Sequence, residues 1–206
     1  MEVFQNFLQQ AITFFAIMDP IGISAIALSI LSPNITKTQI TQVAKKSTFT
    51  VLVAFFIVLL TGDLILRIFG IAEDSLKVMG GIILILMAIS MVNGTTNKST
   101  QSEEKNDVES AIIPIGIPIA FGTGLFTTII IFKHQAETFI DILSITFAFC
   151  INALLFFIIL KNSTYIKKYL GLTGQNIITK LMGLIVGAIA VQFIVSGIVS
   201  LTKGYL

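Results

Sequence analysis

Charge is scarce in this chain: Asp, Glu, Lys and Arg make up 12% of its 206 residues, about half the share of an ordinary soluble domain. A single cysteine, Cys150, excludes an internal disulfide, and with a single histidine, His134, it offers no zinc ligand set. The formal net charge of +2 is small and the lysines sit between apolar runs, the pattern of topology signals rather than of a nucleic-acid footprint. No nucleotide-binding motif occurs, so nothing supports direct ATP drive. No Ser/His/Asp set or carboxylate pair falls inside an apolar run, which counts against an intramembrane enzyme. No cofactor is expected. The N-terminus lacks a basic stretch ahead of its apolar run, so the first helix is expected to be retained rather than cleaved as a signal peptide.

What the chain has in abundance is apolar sequence. With 55% hydrophobic residues and a mean hydropathy of +0.95, it reads as a polytopic membrane protein. Six runs predict an all-α fold of six transmembrane helices: Val3 to Leu31, Ser47 to Phe69, Leu76 to Asn93, Ala111 to Phe132, Phe139 to Leu160 and Ile177 to Leu201. Thr36 to Lys46 reads as a polar connection. Asp63 and Arg67 share a helix face at i,i+4 spacing and are set to pair. Glu73, Asp74 and Ser75 open the third helix, where the dipole favours negative charge, and Gly80 with Gly81 permits close packing. Residues 95–110 are too polar to span or pack and read as a linker loop.

Two of these runs are interrupted. In the first, Pro20 removes a backbone donor and Gly22 relaxes the chain, so the helix is expected to break from Asp19 to Gly22, near mid-membrane. In the fourth, Pro114, Gly116, Pro118, Gly122 and Gly124 do the same, with Thr123, Thr127 and Thr128 supplying hydroxyls. Backbone groups freed at membrane depth survive only when buried in protein or lining a polar cavity. The breaks therefore mark a candidate binding site containing Asp19, Pro20, Gly22, Ser24, Pro118, Gly122, Thr123, Gly124 and Thr127, with Asn152 and Gln192 added as polar residues inside later spans.

Each candidate has a plainer reading. Asp19 is the only acidic residue deep in an apolar run, which suggests coupling or substrate contact; it is also a ready N-cap with Pro20 at the first helical position. Gly122 to Gly124 could hold a carboxylate on helix amides or form a packing kink. Asn152 and Gln192 could bind substrate or bond between helices. His134 reads as an interfacial hydrogen-bonding residue, and Gly183 with Gly187 as a packing motif or a seam for a homo-oligomer.

The halves look like repeats. Lys77 to Gly94 aligns without gaps to Lys180 to Gly197, keeping Lys, Met, Gly and the final Gly, Gly62 to Gly70 lies over Ser163 to Gly171, and Pro20 is set opposite Pro118. Three spans per repeat force the second copy to insert upside down, the arrangement of secondary transporters with discontinuous helices. One membrane domain follows, with repeats at 1–94 and 111–206. Eight of the 13 basic residues fall in the loops after spans one, three and five and a ninth, Lys180, in the first turn of span six, which puts those loops in the cytoplasm and both termini outside.

These residues resemble the MarC family of bacterial inner-membrane proteins, related to the LysE-type exporters and including members described as neutral amino acid transporters. The resemblance rests on IMDPIG (Ile17 to Gly22), GGIILILMAI (Gly80 to Ile89), IPIGIPIAFGTG (Ile113 to Gly124) and KLMGLIVGAIAVQFIVSGI (Lys180 to Ile198). The family pattern continues Asn-x-Pro after the first motif, where this chain has Ile23-Ser24-Ala25, and Ala-Gly-Pro-Gly in the third, where it has Phe121 to Gly124. The resemblance implies an inner-membrane secondary transporter or exporter of a small polar metabolite such as an amino acid, with the bilayer as its other partner. The competing expectation is a non-transporting membrane protein that binds a partner subunit or lipid.

Overall fold

The structure is a computed structural model that describes residues 2–31, 35–94 and 120–205. Every regular element among them is helical: α1 (Glu2–Met18), α2 (Pro20–Ile30), α3 (Lys37–Phe69), α4 (Glu73–Asn93), α5 (Thr123–Gln135), α6 (Phe139–Lys161) and α7 (Ser163–Tyr205). By length and composition, five spans among the described residues are suited to crossing a membrane: Phe4–Ser29, which joins α1 and α2, together with α3, α4, α6 and nearly all of α7. The thirteen-residue α5 is too short to count alone. The linker loop, Pro114, Gly116 and Pro118 lie outside the described residues.

Two boundaries differ from the sequence reading. Helix α3 starts at Lys37, so most of the expected polar connection is helical, because Thr36 and Gln39 form a reciprocal capping box. Helix α7 starts at Ser163 rather than Ile177 and turns sharply at Gly171, whose φ of 62° and ψ of 177° suit only glycine.

The helices form a bundle with two ends. At the first end α1 begins, α3 passes into α4 through Gly70 to Ala72, and α5 passes into α6 through Ala136 to Thr138. Lys133 and His134 at the end of α5 reach Asp63 of α3 and Glu73 of α4 there. At the second end α3 begins, α4 stops at Gly94 and α6 passes into α7; Lys37 donates to the Tyr165 hydroxyl at 3.0 Å.

Glycines set the packing. A Cβ on Gly62 would strike Ile130, and one on Gly80 would strike Thr127, so α3 and α4 close tightly on α5. Helix α5 is accordingly enclosed on nearly every side, with Leu125 and every residue from Thr127 to Phe132 buried. Gly183 lies against Ala88 and Met91, and Gly187 against Ala88. Their spacing thus serves close contact between α7 and α4 within the bundle. The outer surface is apolar, with Leu60 at 75% exposure and Phe69 at 72%, while Ser24, Ser47, Thr128 and Asn152 are buried. That inversion fits a lipid solvent, where packing and interhelical hydrogen bonds hold helices together.

Candidate functional site

Asp19 separates α1 from α2 with a left-handed backbone, φ 41° and ψ 63°, the only positive φ outside glycine among the described residues. Aspartate tolerates this conformation better than most residues. Helical bonding reaches it on one side, Asp19 N–H to Phe15 O at 3.0 Å, and resumes on the other, Ile23 N–H to Asp19 O at 2.9 Å. Between them the Gly22 amide donates to Asp19 Oδ1 at 3.1 Å, and Pro20 occupies the first position of α2 without an N–H to satisfy. Gly22 must lack a side chain, because a Cβ would overlap the Asp19 carboxylate and sit 2.6 Å from Thr179 Oγ1.

The partners of Asp19 and its neighbours come from α7. Thr179 brings its hydroxyl beside Gly22 and the Asp19 carboxylate. Gln175 Nε2 donates to Ser24 Oγ at 3.1 Å, and Ser24 Oγ donates to Ile21 O at 2.7 Å. Both Ser24 and Gln175 are buried, and Gln175 Oε1 has no partner. Asp19, Gly22, Asn176, Thr179 and Lys180 share a small cavity with Met91 and Gly94, which places it near the second end of the bundle. Its volume is about 30 Å³, room for a water or two and too small for a metabolite.

Gly122 caps α5 and Thr123 begins it, exposed. A Cβ on Gly124 would lie 3.4 Å from Ile17 Cγ2, so the start of α5 meets the end of α1 two residues before Asp19. Thr127 is buried and bonds its own helix at Thr123 O. Asn152 joins α6 to α1, donating to Ala11 O at 3.0 Å and Ala148 O at 2.9 Å, with its Oδ1 unpartnered. Gln192 is exposed on α7 and is not among the residues lining the cavity. Sequence reasoning therefore placed Asp19, Gly22 and Ser24 in one cluster and missed Gln175, Asn176, Thr179 and Lys180. The available signal was polar residues at i and i+4, Gln175 and Thr179, just after the glycines at 171 and 174.

A much larger cavity, about 580 Å³, opens at the first end. Asn6, Gln9 and Gln10 of α1 line one side, and Gln135, Glu137 and Asp141 the other. Beneath it lie Gln10, whose Oε1 accepts from Ser144 Oγ at 2.8 Å, and a knot of phenylalanines. Phe14 meets Phe132 edge-on at 5.4 Å and Phe149 at 5.2 Å, and Phe149 stacks on Phe55 at 4.0 Å. Phe14, Phe55 and Phe149 are fully buried. Along α1, Phe14 of the knot lies between Gln10 at the large cavity and the Asp19 cluster.

Asp63 does not pair with Arg67 as expected. Lys133 Nζ approaches Asp63 Oδ2 at 2.6 Å, and His134 sits between Asp63 Oδ1 at 3.1 Å and Glu73 Oε1 at 2.7 Å. The Nε2 contact to Asp63 lacks hydrogen-bond alignment, so the Glu73 contact is the stronger of the two. Tertiary partners on α5 have displaced the local i,i+4 pair.

A model of the family described as MarC family integral membrane protein matches residues 4–202. A UPF0056 membrane protein of Aquifex aeolicus is 30% identical, over 96% of this chain and 94% of that protein. One from Pyrococcus abyssi is 32% identical over 96% of each, and YhcE of Escherichia coli, also a UPF0056 membrane protein, is 29% identical over 95% of this chain and 93% of its own length. No solved structure matches the chain.

Proposed function

The chain belongs to the MarC family of integral membrane proteins, and on that premise we propose that it is a secondary transporter or exporter of a small polar metabolite, with amino acids among the candidate substrates, working by alternating access around the α1–α2 break. The observation that carries this reading is the sequence of compartments along the bundle. A compact polar cluster at Asp19 lies on one side of the phenylalanine knot, and a cavity of about 580 Å³ lies on the other. A carrier needs a polar site that is sealed from one face at a time, and buried hydroxyl and amide groups with unpartnered atoms supply the means to recognise a solute.

The six-span, inverted-repeat architecture is part of the proposal. The register that sets Lys77 over Lys180 carries Ile194 onto Met91. In the bundle Gly183 packs on Met91 and Gly81 packs on Ile194. The two contacts exchange within one residue when the halves are swapped, as an axis between antiparallel α4 and α7 requires. Helix α5 belongs to the expected fourth span and meets α1 beside Gly124 and Ile17. The charge count puts the second end in the cytoplasm of a bacterial inner membrane and both termini outside.

Counterflow in proteoliposomes tests the function. Vesicles loaded with one solute at a time, from a panel of amino acids and other small polar metabolites, are expected to accumulate the labelled form of at least one of them transiently and saturably. A correctly folded, reconstituted protein that exchanges no member of the panel overturns the reading.

A further inference from the structure

The cavity at the first end differs in charge from its surroundings. Two carboxylates, Glu137 and Asp141, line it, and no lysine or arginine does. The basic side chains of the last turn of α5 point elsewhere: Lys133 to Asp63, and His134 to Asp63 and Glu73. Asp141 is occupied in the capping box that Thr138 opens on α6, its Oδ2 accepting from Thr138 Oγ1 at 2.8 Å, Thr138 N–H at 2.9 Å and Glu137 N–H at 3.2 Å. The positive end of the α6 dipole is thereby answered. Glu137 pairs with no cation among the described residues. Helix α5 ends at the same place, with Gln135 and Ala136 on the cavity wall, so the negative end of its dipole lies there. Carboxamides from Asn6 and Gln9 add hydrogen-bond partners, and Phe132 with Ile140 supplies an apolar surface.

We propose that this cavity is a binding site for protonated amines that carry an apolar body, with Glu137 as the anionic partner of the ammonium group and Phe132 and Ile140 as the seat for the rest. The volume suits a small organic molecule. A carboxylate and a helix C-terminus together favour a cation, and the amide groups can accept the ammonium protons that Glu137 does not. The proposal deepens the transport reading by naming a substrate class for the outer chamber. It rests on that reading for the fate of the bound amine, though not for the binding.

The test is calorimetric titration of the full chain in lipid nanodiscs with three probes of one shape: benzylamine, which is protonated at neutral pH, benzyl alcohol and benzoate. Benzylamine is expected to bind saturably, with the alcohol and the benzoate weaker by about tenfold or more, the worth of a hydrogen bond to a charged group. Glu137→Gln is expected to weaken benzylamine by a similar factor while its melting temperature stays at the wild-type value, because Glu137 is exposed and caps nothing with its side chain. Absence of saturable amine binding, equal affinity for amine and alcohol, or unchanged amine affinity in Glu137→Gln overturns the proposal. Amine binding without solute exchange in vesicles keeps this site and contradicts the transport reading; exchange without amine binding does the reverse.

Discussion

Gln175 reaches Ser24 across 151 residues of sequence, its Nε2 3.1 Å from the serine Oγ. The bond ties the first turns of α2 to α7 just beyond the Gly171 turn. Only the amide nitrogen is used, and Gln175 Oε1 stays buried without a partner. An unmet acceptor of this kind costs about 1–3 kcal/mol, and a purely structural residue has little reason to keep it. Gln175→Leu is therefore expected to leave the melting temperature unchanged or raised and to cut transport about tenfold or more. Initial exchange rates and melting curves of the same preparation check both halves. A large loss of stability with activity retained per folded molecule would show that Gln175 is a structural tie.

The local half of this arrangement was legible in the sequence. Asp before Pro favours a helix start, with Asp as the cap and Pro at the first helical position, and Asp19 and Pro20 take those places. The remote half was hidden. Gln175 lies just ahead of the expected sixth span, which starts at Ile177, and Thr179 in its first turn, whereas the helix runs back through Gln175 to the turn at Gly171. Gln192 drew attention because it interrupts an apolar run, yet α7 turns it outward. Polarity inside a span marks a residue as unusual without telling which face it occupies, and that face depends on the packing of Gly183 and Gly187 on α4. The Asp63–Arg67 pair failed for a related reason, since spacing shows what can meet on one helix and is silent about Lys133 and His134 arriving from another.

Phe149 is the centre of the aromatic knot, stacked on Phe55 and edge-on to Phe14. Phe149→Ala leaves a cavity costing about 3–5 kcal/mol by the measure of soluble cores, and it opens the barrier between the two chambers. Passive efflux of a small polar solute from vesicles is expected to rise in this variant without any exchange partner, while Phe149→Leu keeps the seal. Efflux at the protein-free rate in Phe149→Ala would show that the knot is not the barrier.

Gly22 and Gly187 make a contrasting pair. A Cβ on Gly22 overlaps the Asp19 carboxylate, whereas one on Gly187 meets Ala88 Cβ at an ordinary 3.5 Å. Gly22→Ala is expected to expel the cap from its place and to lower both folded yield and activity. Gly187→Ala is expected to be tolerated. Size-exclusion profiles of the two purified variants decide, and equal behaviour would contradict the close fit at Asp19.

Gly171 has open space around its Cα but a left-handed φ of 62°. Gly171→Ala meets no atom and is opposed only by backbone strain, on the order of 1–3 kcal/mol for a conformation essentially confined to glycine. Its melting temperature should fall, and that of Gly171→Asn should fall as far, because asparagine tolerates the left-handed helical region and not ψ near 180°. Unchanged melting temperatures in both variants would mean that the turn does not hold residue 171 in this conformation.

Paired substitutions at Asp19 in the counterflow assay decide whether the α1–α2 junction is a transport site. Asparagine caps a helix about as well as aspartate and tolerates the left-handed conformation. Alanine loses the cap, worth about 1 kcal/mol, and is strained at φ 41°. With both variants reconstituted to equal density, Asp19→Asn is predicted to retain substantial saturable exchange and Asp19→Ala to lose most of it. Wild-type exchange that survives unchanged in a well-folded Asp19→Ala protein would place the site elsewhere and contradict the account.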